Sequence, residues 1–174
     1  MADIAIAPLR VAAADLALPT GPALFDGLRL SLRPAGSRYS LRAREADVLA
    51  GVLGRALPQK IGDSLYGLAR LGPDEWYASL PAGEILPTGA GLPVSVVDVS
   101  SRAVGILVEG QRAQEVVSCG CPLDLARVGV GQVRRTLFET VEVLMWRESE
   151  TRIRLDVWRS FAPWLFNALV ACAE

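Results

Sequence analysis

Apolar and polar side chains alternate along short runs in both halves of the chain, a period typical of half-buried β-strands. The run 27–32 alternates strictly, and the run 37–41 follows the same pattern. Polar residues at 72–74 and 148–150 separate neighbouring runs, which predicts two hairpins. Strands are therefore expected at 27–32, 37–41, 64–71, 75–80, 95–99, 103–108, 131–138, 141–147 and 152–158.

Three other segments carry apolar residues at helical spacing. The segment 44–57 has an apolar stripe and is followed by Pro58, which predicts a helix that stops there. Residues 111–118 predict a shorter helix that ends before Gly120. Ser160 is a candidate N-cap for a last helix running to about Cys172.

Each half of the chain therefore contains a strand, a helix and then further strands, which predicts an α+β fold and not a doubly wound parallel sheet. The segment 81–93 is rich in Gly and Pro and is the best candidate for an internal boundary. We expect an extended N-terminal arm at 1–24, a first α+β half at 25–93 and a second at 94–174.

Composition excludes several kinds of chemistry. The chain has 174 residues, no histidine and a formal net charge of −1. A Ser-His-Asp triad, a Cys-His pair and a histidine metal site are therefore impossible within it. The charge balance argues against nucleic acid as a partner. The sequence has no apolar run of membrane-spanning length and no secretory signal, so we expect a cytoplasmic protein with reduced cysteines.

Two short segments are candidate sites, and each also has a structural interpretation. Residues 98–102 could bind a carboxylate through Arg102 and the serine hydroxyls, but Asp or Ser at a strand end commonly closes a turn. Cys119-Gly-Cys121 could indicate metal or redox chemistry. With only Cys172 as a further cysteine, a four-ligand zinc site lacks ligands, so buried or structural thiols are favoured.

No dinucleotide or phosphate-loop motif is present. The sequence Val-Gly-Val-Gly-Gln at 128–132 runs into a predicted strand, whereas a phosphate site needs the N-terminus of a helix. Arg134 and Arg135 are accordingly interpreted as a solvated strand-edge feature or as ion-pair donors at an interface, and not as a phosphate clamp. We expect no catalytic, cofactor-binding or metal-binding residue in this chain.

The segment 95–125, SVVDVSSRAVGILVEGQRAQEVVSCGCPLDL, resembles the folate-binding aminomethyltransferase superfamily, which includes the glycine-cleavage T-protein. A more specific resemblance, to the gamma subunits of heterotetrameric sarcosine oxidases, is carried by three segments: CGCPLDL at 119–125, RRTLFETVEVLMWR at 134–147 and RIRLDVWRSFAPWLFNAL at 152–169. The resemblance covers roughly residues 60–172. It implies two halves that resemble part of the T-protein fold. A complete aminomethyltransferase is about twice as long, so a full folate pore is not expected here.

The resemblance also implies a complex. The alpha subunit of such enzymes carries NAD and the tetrahydrofolate site, the beta subunit carries FAD, FMN lies between the two, and the delta subunit binds zinc. The gamma subunit has no assigned chemistry and packs against alpha. We therefore expect a non-catalytic gamma subunit in a complex that oxidises sarcosine to glycine in sarcosine catabolism and one-carbon metabolism, with peroxide and formaldehyde or methylene-tetrahydrofolate as co-products.

Two alternatives stay open at this point. The chain could be a stand-alone, half-size folate-binding protein that accepts a one-carbon unit. It could also be the equivalent subunit of a related complex that acts on another N-methyl amino acid. The absence of histidine and of a cofactor motif favours an interaction subunit over the stand-alone protein.

The C-terminal helix carries the expected interface. Helical spacing predicts an inward stripe of Phe161, Trp164, Leu165, Ala168, Leu169 and Cys172. The opposite side is also apolar, because it carries Phe166 and Val170 four residues apart. We expect Trp158, Phe166 and Val170 to contact a partner subunit, with coverage of this face by the arm 1–24 as the alternative.

Overall fold

The computed structural model describes residues 17–174. Most of the predicted N-terminal arm, residues 1–16, lies outside the described residues. The end of that arm is not a separate segment, because Ala23–Phe25 forms the first strand.

The described residues form eleven strands and three α-helices. The strands are β1 Ala23–Phe25, β2 Leu28–Leu32, β3 Ser37–Ala43, β4 Ser64–Leu65, β5 Leu68–Arg70, β6 Glu75–Leu80, β7 Val94–Asp98, β8 Ala103–Glu109, β9 Val133–Phe138, β10 Val141–Ser149 and β11 Arg152–Trp158. The helices are α1 Ala46–Leu53, α2 Ala113–Ser118 and α3 Ala162–Ala173. Short 3-10 turns lie at Leu125–Arg127 and Arg159–Phe161.

The strands build two antiparallel sheets. The larger sheet has the order β1-β2-β8-β11-β10-β9, and the smaller has the order β4-β5-β6-β3-β7. Helices α2 and α3 pack on one face of the larger sheet, in a core that includes Ile106, Leu155 and Leu169. Helix α1 covers one face of the smaller sheet. The α+β prediction with antiparallel sheets is therefore confirmed.

The other faces of the two sheets meet each other. Ala69 and Tyr77 of the smaller sheet pack against Val133 and Trp146 of the larger one. Residues 17–174 thus form four layers: α1, the smaller sheet, the larger sheet, and α2 with α3. Strands of both sheets are consequently buried on two faces. In a sheet with one solvated face, buried and solvated positions would instead alternate along each strand.

The sheets do not divide at the predicted boundary. Strand β2 comes from the first half but pairs with β8 of the second, through Leu30 and Val108 among others, and β1 extends the same sheet by pairing with β2. Strand β7 comes from the second half but pairs with β3. The segment 81–93 is a connection between strands, as expected, yet each half contributes strands to the sheet of the other.

Two predicted elements are shorter than expected. The run 64–71 is two strands and not one, because Tyr66 and Gly67 adopt positive φ angles of 49° and 80° and turn the chain back on itself. Helix α1 ends at Leu53 because Gly54 is left-handed and its N–H bonds back to the last turn, before Pro58 is reached.

Helix α3 is rotated by one residue relative to the predicted orientation. Its buried residues are Ala162, Pro163, Leu165, Phe166, Leu169 and Ala173. Phe166 is only 5% exposed and lies in the core, so the prediction that its side chain forms an outward ridge is wrong. Val170 is half-buried and packs against the same core. Because both sides of this helix are apolar, its periodicity could not decide which side faces inward.

Candidate functional site

A network of charged side chains lies between the two sheets. The Arg154 guanidinium donates to Glu148 Oε1 at 2.7 Å, to Ser79 Oγ at 2.8 Å and to Asp156 Oδ2. Its charge also lies 4.1 Å from the ring centroid of Trp146. Arg154 and Asp156 occupy alternate positions of β11, so both face the smaller sheet while Leu155 faces the helices.

Asp156 is the acceptor at the centre of this network. It is buried, and its Oδ1 atom lies 3.9 Å from Nη2 of Arg38 on the smaller sheet, too far for a hydrogen bond. Neither Asp156 Oδ1 nor Arg38 Nε has a hydrogen-bond partner among the described residues. The network therefore links the sheets by charge and has unused hydrogen-bonding capacity.

A recess opens beside Asp156 and is walled by both sheets. It encloses about 530 Å³ of empty space, part of it open to solvent. Tyr77 and Asp156 line it together with apolar side chains such as Val99 and Leu144. Burial, and next the charge of Asp156, raise the pKa of Tyr77 well above its ordinary value, so its hydroxyl stays protonated.

A group of exposed aromatic residues, called here the aromatic ridge, begins at the last residue of β11. Trp158, Phe161 and Trp164 recur every three residues across the 3-10 turn and the start of α3. They are 44%, 47% and 37% exposed. Trp158, a predicted interface residue, also lines the recess. Three large aromatic groups in succession at the surface are typical of protein interfaces, where Trp and Phe are enriched.

The segment 98–102 forms a turn. The Ser100 N–H donates to Asp98 Oδ1 at 2.7 Å, and Ser100 Oγ accepts a hydrogen bond from the Arg38 N–H at 2.8 Å. Hydrogen bonding with the Ser100 side chain, and next with its backbone N–H, lowers the pKa of Asp98. Arg102 N–H donates to the Val99 carbonyl at 2.9 Å and closes the bend. The structural interpretation of this motif is thus confirmed for Asp98 and Ser100.

Arg134 and Arg135 use their guanidinium groups within the chain. Arg135 forms a two-pronged ion pair with Glu75 of the smaller sheet, which raises the pKa of Arg135. Arg134 donates to the carbonyl of Gly62 and to Gln132 Oε1. Arg135 is thus an ion-pair donor, although its acceptor lies within the chain and not across an interface, and Arg134 binds acceptor groups beside the edge strand β9.

The three cysteines are free thiols in different settings. Cys119 is exposed, Cys121 is buried within 3.9 Å of Thr136 Oγ1, and Cys172 is half-buried. Burial, followed by a hydrogen bond with Cys119, raises the pKa of Cys172 to about 11. Within residues 17–174, His, Cys, Asp and Glu side chains form no cluster that could hold a metal ion.

Alkylation of Cys172 is expected to be slow. A thiol whose pKa is about 11, against an ordinary value of 9.0, has roughly 100-fold less thiolate at neutral pH. The rate of iodoacetamide modification, followed by peptide mass spectrometry, should rise with pH until about 11. The same chain in concentrated urea is the control, and there the rise should end near 9. Equal profiles in the folded and unfolded chain would contradict the burial argument.

Comparison with known proteins identifies the family. No family model matches the chain. The sarcosine oxidase subunit gamma of an Arthrobacter species is 35% identical over 115 residues, which is 59% of this chain and 56% of that protein. The sarcosine oxidase subunit gamma of Corynebacterium sp. (strain U-96) is 30% identical over 137 residues, covering 70% of this chain and 67% of that subunit. The chain belongs to the sarcosine oxidase gamma-subunit family.

Two solved structures have a fold similar to that of this gamma-family chain. The heterotetrameric sarcosine oxidase from Corynebacterium sp. U-96, in complex with pyrrole 2-carboxylate, contains a chain that matches with a TM-score of 0.75 at 26% identity. That match covers 87% of this chain and 88% of the other. The glycine cleavage system aminomethyltransferase T from Bartonella henselae matches with a TM-score of 0.62 at 16% identity, covering 83% of this chain and 46% of that one.

The matches confirm the resemblance and the T-protein-like fold predicted from the sequence. The match nevertheless spans little more than half of the Arthrobacter subunit, at 56% of its length. None of the helices in residues 17–174 is long and apolar enough to cross a membrane.

The structure brings together residues that sequence reasoning had not combined. The charged network between the sheets was missed, although Arg154 and Asp156 alternate with apolar residues in β11. Alternation of charged with apolar residues ordinarily indicates a solvated second face, so this pattern gave no signal that the second face of β11 is buried. Phe161 and Trp164 were expected to face inward, and their place on the surface ridge follows from the one-residue rotation of α3.

Proposed function

We propose that this chain is the non-catalytic gamma subunit of a cytoplasmic, heterotetrameric sarcosine oxidase and that it packs against the alpha subunit. The complex would oxidise the N-methyl amine of sarcosine with oxygen to give glycine, hydrogen peroxide and formaldehyde or methylene-tetrahydrofolate. FAD, FMN, NAD, tetrahydrofolate and zinc would be held by the alpha, beta and delta subunits.

The aromatic ridge is the observation that carries this proposal. Trp158, Phe161 and Trp164 each expose a large apolar side chain within seven residues of sequence, and exposed apolar surface of this kind is costly for a chain that stays alone in water. The matching chain belongs to a heterotetrameric enzyme, and the corresponding complex of this chain would supply a partner subunit to cover this surface. Aromatic anchors at the centre of an interface usually supply most of its binding free energy.

The polar side chains of the chain support a structural role. Asp156 and Glu148 both pair with Arg154 between the sheets, and Arg135 binds Glu75. Ser100 and Asp98 close a turn. A nucleophile or a general base would instead need a side chain that is free to reach a substrate.

Omission of this chain from the complex tests the proposal. We expect the alpha, beta and delta subunits, produced without it, to lose most of their sarcosine-dependent peroxide formation, while their flavin content per beta subunit stays the same. Restoring the chain should restore both assembly and activity. A three-subunit enzyme with full activity and full stability, or an isolated chain that binds flavin stoichiometrically, would overturn the proposal.

A further inference from the structure

A second cleft lies where strands β2 and β11 end. Arg33 follows β2, Arg38 lies in β3, and Arg159 follows β11, and all three line this cleft. Ser100 and Ser101 line it too. The cleft encloses about 750 Å³ of empty space, part of it open to solvent, and no carboxylate of the described residues lines it.

The position of Arg33 is fixed by the backbone. Its N–H donates to the carbonyl of Gly105 at 2.7 Å. A side chain at position 105 would not fit, because its Cβ would lie 2.8 Å from Asp156 Oδ1 and 3.1 Å from Arg33 Cβ. Glycine at this position therefore lets Arg33 cross β8 closely and reach Ser79 Oγ with Nη1 at 2.6 Å.

Positive charge exceeds negative charge around this cleft. Arg33, Arg38 and Arg154 are balanced within the described residues by two carboxylates, those of Asp156 and Glu148. Burial, and next the charge of Arg154, lower the pKa of Arg33. Cations that repel one another in a partly buried position are stabilised by an anion brought close to them.

Several hydrogen-bond donors of the cleft are unused. The Nε atom of Arg38 is buried without an acceptor. Arg33 donates through Nη1 alone, and Arg159 uses Nε to bind the Ser101 carbonyl at 2.8 Å, so the other N–H groups of both guanidiniums have no acceptor among the described residues. Such planar forks match the oxygens of a carboxylate or a phosphate.

We propose that this cleft binds an oxyanion, the carboxylate or phosphate group of a ligand, between Arg33 and Arg159. The anion balances the excess charge beside Arg38 and accepts hydrogen bonds from the unpaired N–H groups of the two flanking arginines. The inference goes beyond the proposed function, because it assigns a ligand class to a part of the chain that the ridge and the recess do not use.

Calorimetric titration of the purified full chain with inorganic phosphate, and separately with acetate, tests the proposal at constant ionic strength. We expect saturable binding of at least one of these anions at one site per chain. Arg33→Gln and Arg159→Gln should each weaken binding about tenfold, since each removes charge-assisted hydrogen bonds. Arg127→Gln is the matched control, because Arg127 is exposed on a distant 3-10 turn, and its binding should equal that of the unchanged chain.

The variant at Arg159 keeps the test decisive if Arg33→Gln disturbs the fold, because Arg159 is exposed. No saturable binding of either anion, or equal binding by the control and both site variants, would overturn the proposal.

Repeating the titration on the assembled complex identifies the source of the ligand. Loss of binding there would assign the site to a carboxylate of a partner subunit, and retained binding would assign it to a free oxyanion. Failure of the complex to assemble would leave the titration of the chain itself unaffected.

Discussion

Replacement of Asp156 by alanine is expected to destabilise the chain by about 3–5 kcal/mol, since removing one member of a buried ion pair leaves its partner uncompensated. Arg154 donates to Asp156 from a buried position, and Arg38 lies 3.9 Å from its other oxygen. The substitution would leave the positive charges of Arg33, Arg38 and Arg154 between the sheets with only the Glu148 carboxylate to balance them. Urea unfolding of the full chain, followed by circular dichroism, measures the loss as a lower midpoint at an unchanged slope.

Asp74→Ala is the matched control for this experiment. Asp74 also pairs with an arginine, Arg42, at 3.5 Å, but both side chains are about half exposed. An exposed pair of this kind contributes about 0–1 kcal/mol, so the midpoint should scarcely move. Equal effects of Asp74→Ala and Asp156→Ala would contradict the importance of burial.

A double substitution keeps the argument testable if Asp156→Ala prevents folding. Arg154→Met combined with Asp156→Ala removes one of the stranded positive charges. We expect this double variant to be more stable than Asp156→Ala alone, because an apolar side chain of similar length replaces an unpaired buried charge. A double variant less stable than the single one would show that the loss of Asp156 acts through packing and not through charge.

Local patterns were sufficient to predict most elements of the fold. Strict alternation predicted β2 and β3, and the polar tip at 148–150 predicted the hairpin of β10 and β11. Local patterns could not predict which strands pair when those strands are distant in the sequence. The pairing of β2 with β8 and of β7 with β3 joins segments that are distant in sequence, and no periodicity within either strand encodes its partner.

The candidate site was less predictable than the fold. Arg38, Arg154 and Asp156 become a network only because the two sheets stack face to face, and stacking is a property of the whole molecule. Charged residues on a strand ordinarily indicate a solvated face. The family resemblance could not correct this expectation, since it assigned no chemistry to the gamma subunit.

Helix α3 shows why the interface prediction failed at Phe166. Two apolar stripes, one residue apart, satisfy the same helical period. The buried stripe includes Phe166 and Leu169, and it leaves Trp164 and Phe161 outside. Apolar side chains are therefore exposed here as predicted, but they are Phe161 and Trp164 in place of Phe166. Trp158, the last residue of β11, was predicted at the interface and is exposed.

Serine substitution of the whole ridge, Trp158→Ser, Phe161→Ser and Trp164→Ser together, is expected to weaken association with the alpha subunit at least about 100-fold. Aromatic hot spots commonly contribute about 2 kcal/mol or more each, and their effects do not add fully. The measurement uses co-expression of all four subunits with an affinity tag on this chain. The quantity compared is the alpha subunit recovered per tagged chain.

The control is a second triple variant, Ile61→Ser, Ile85→Ser and Leu137→Ser, which removes as many exposed apolar groups from scattered positions. These side chains are 58%, 84% and 44% exposed and lie outside the ridge. The control should recover the alpha subunit as the unchanged chain does. Circular dichroism and urea unfolding verify that both triple variants remain folded. A folded ridge variant that still recovers the alpha subunit in full would show that the partner binds elsewhere, because the three aromatic side chains would then contribute nothing to the interface.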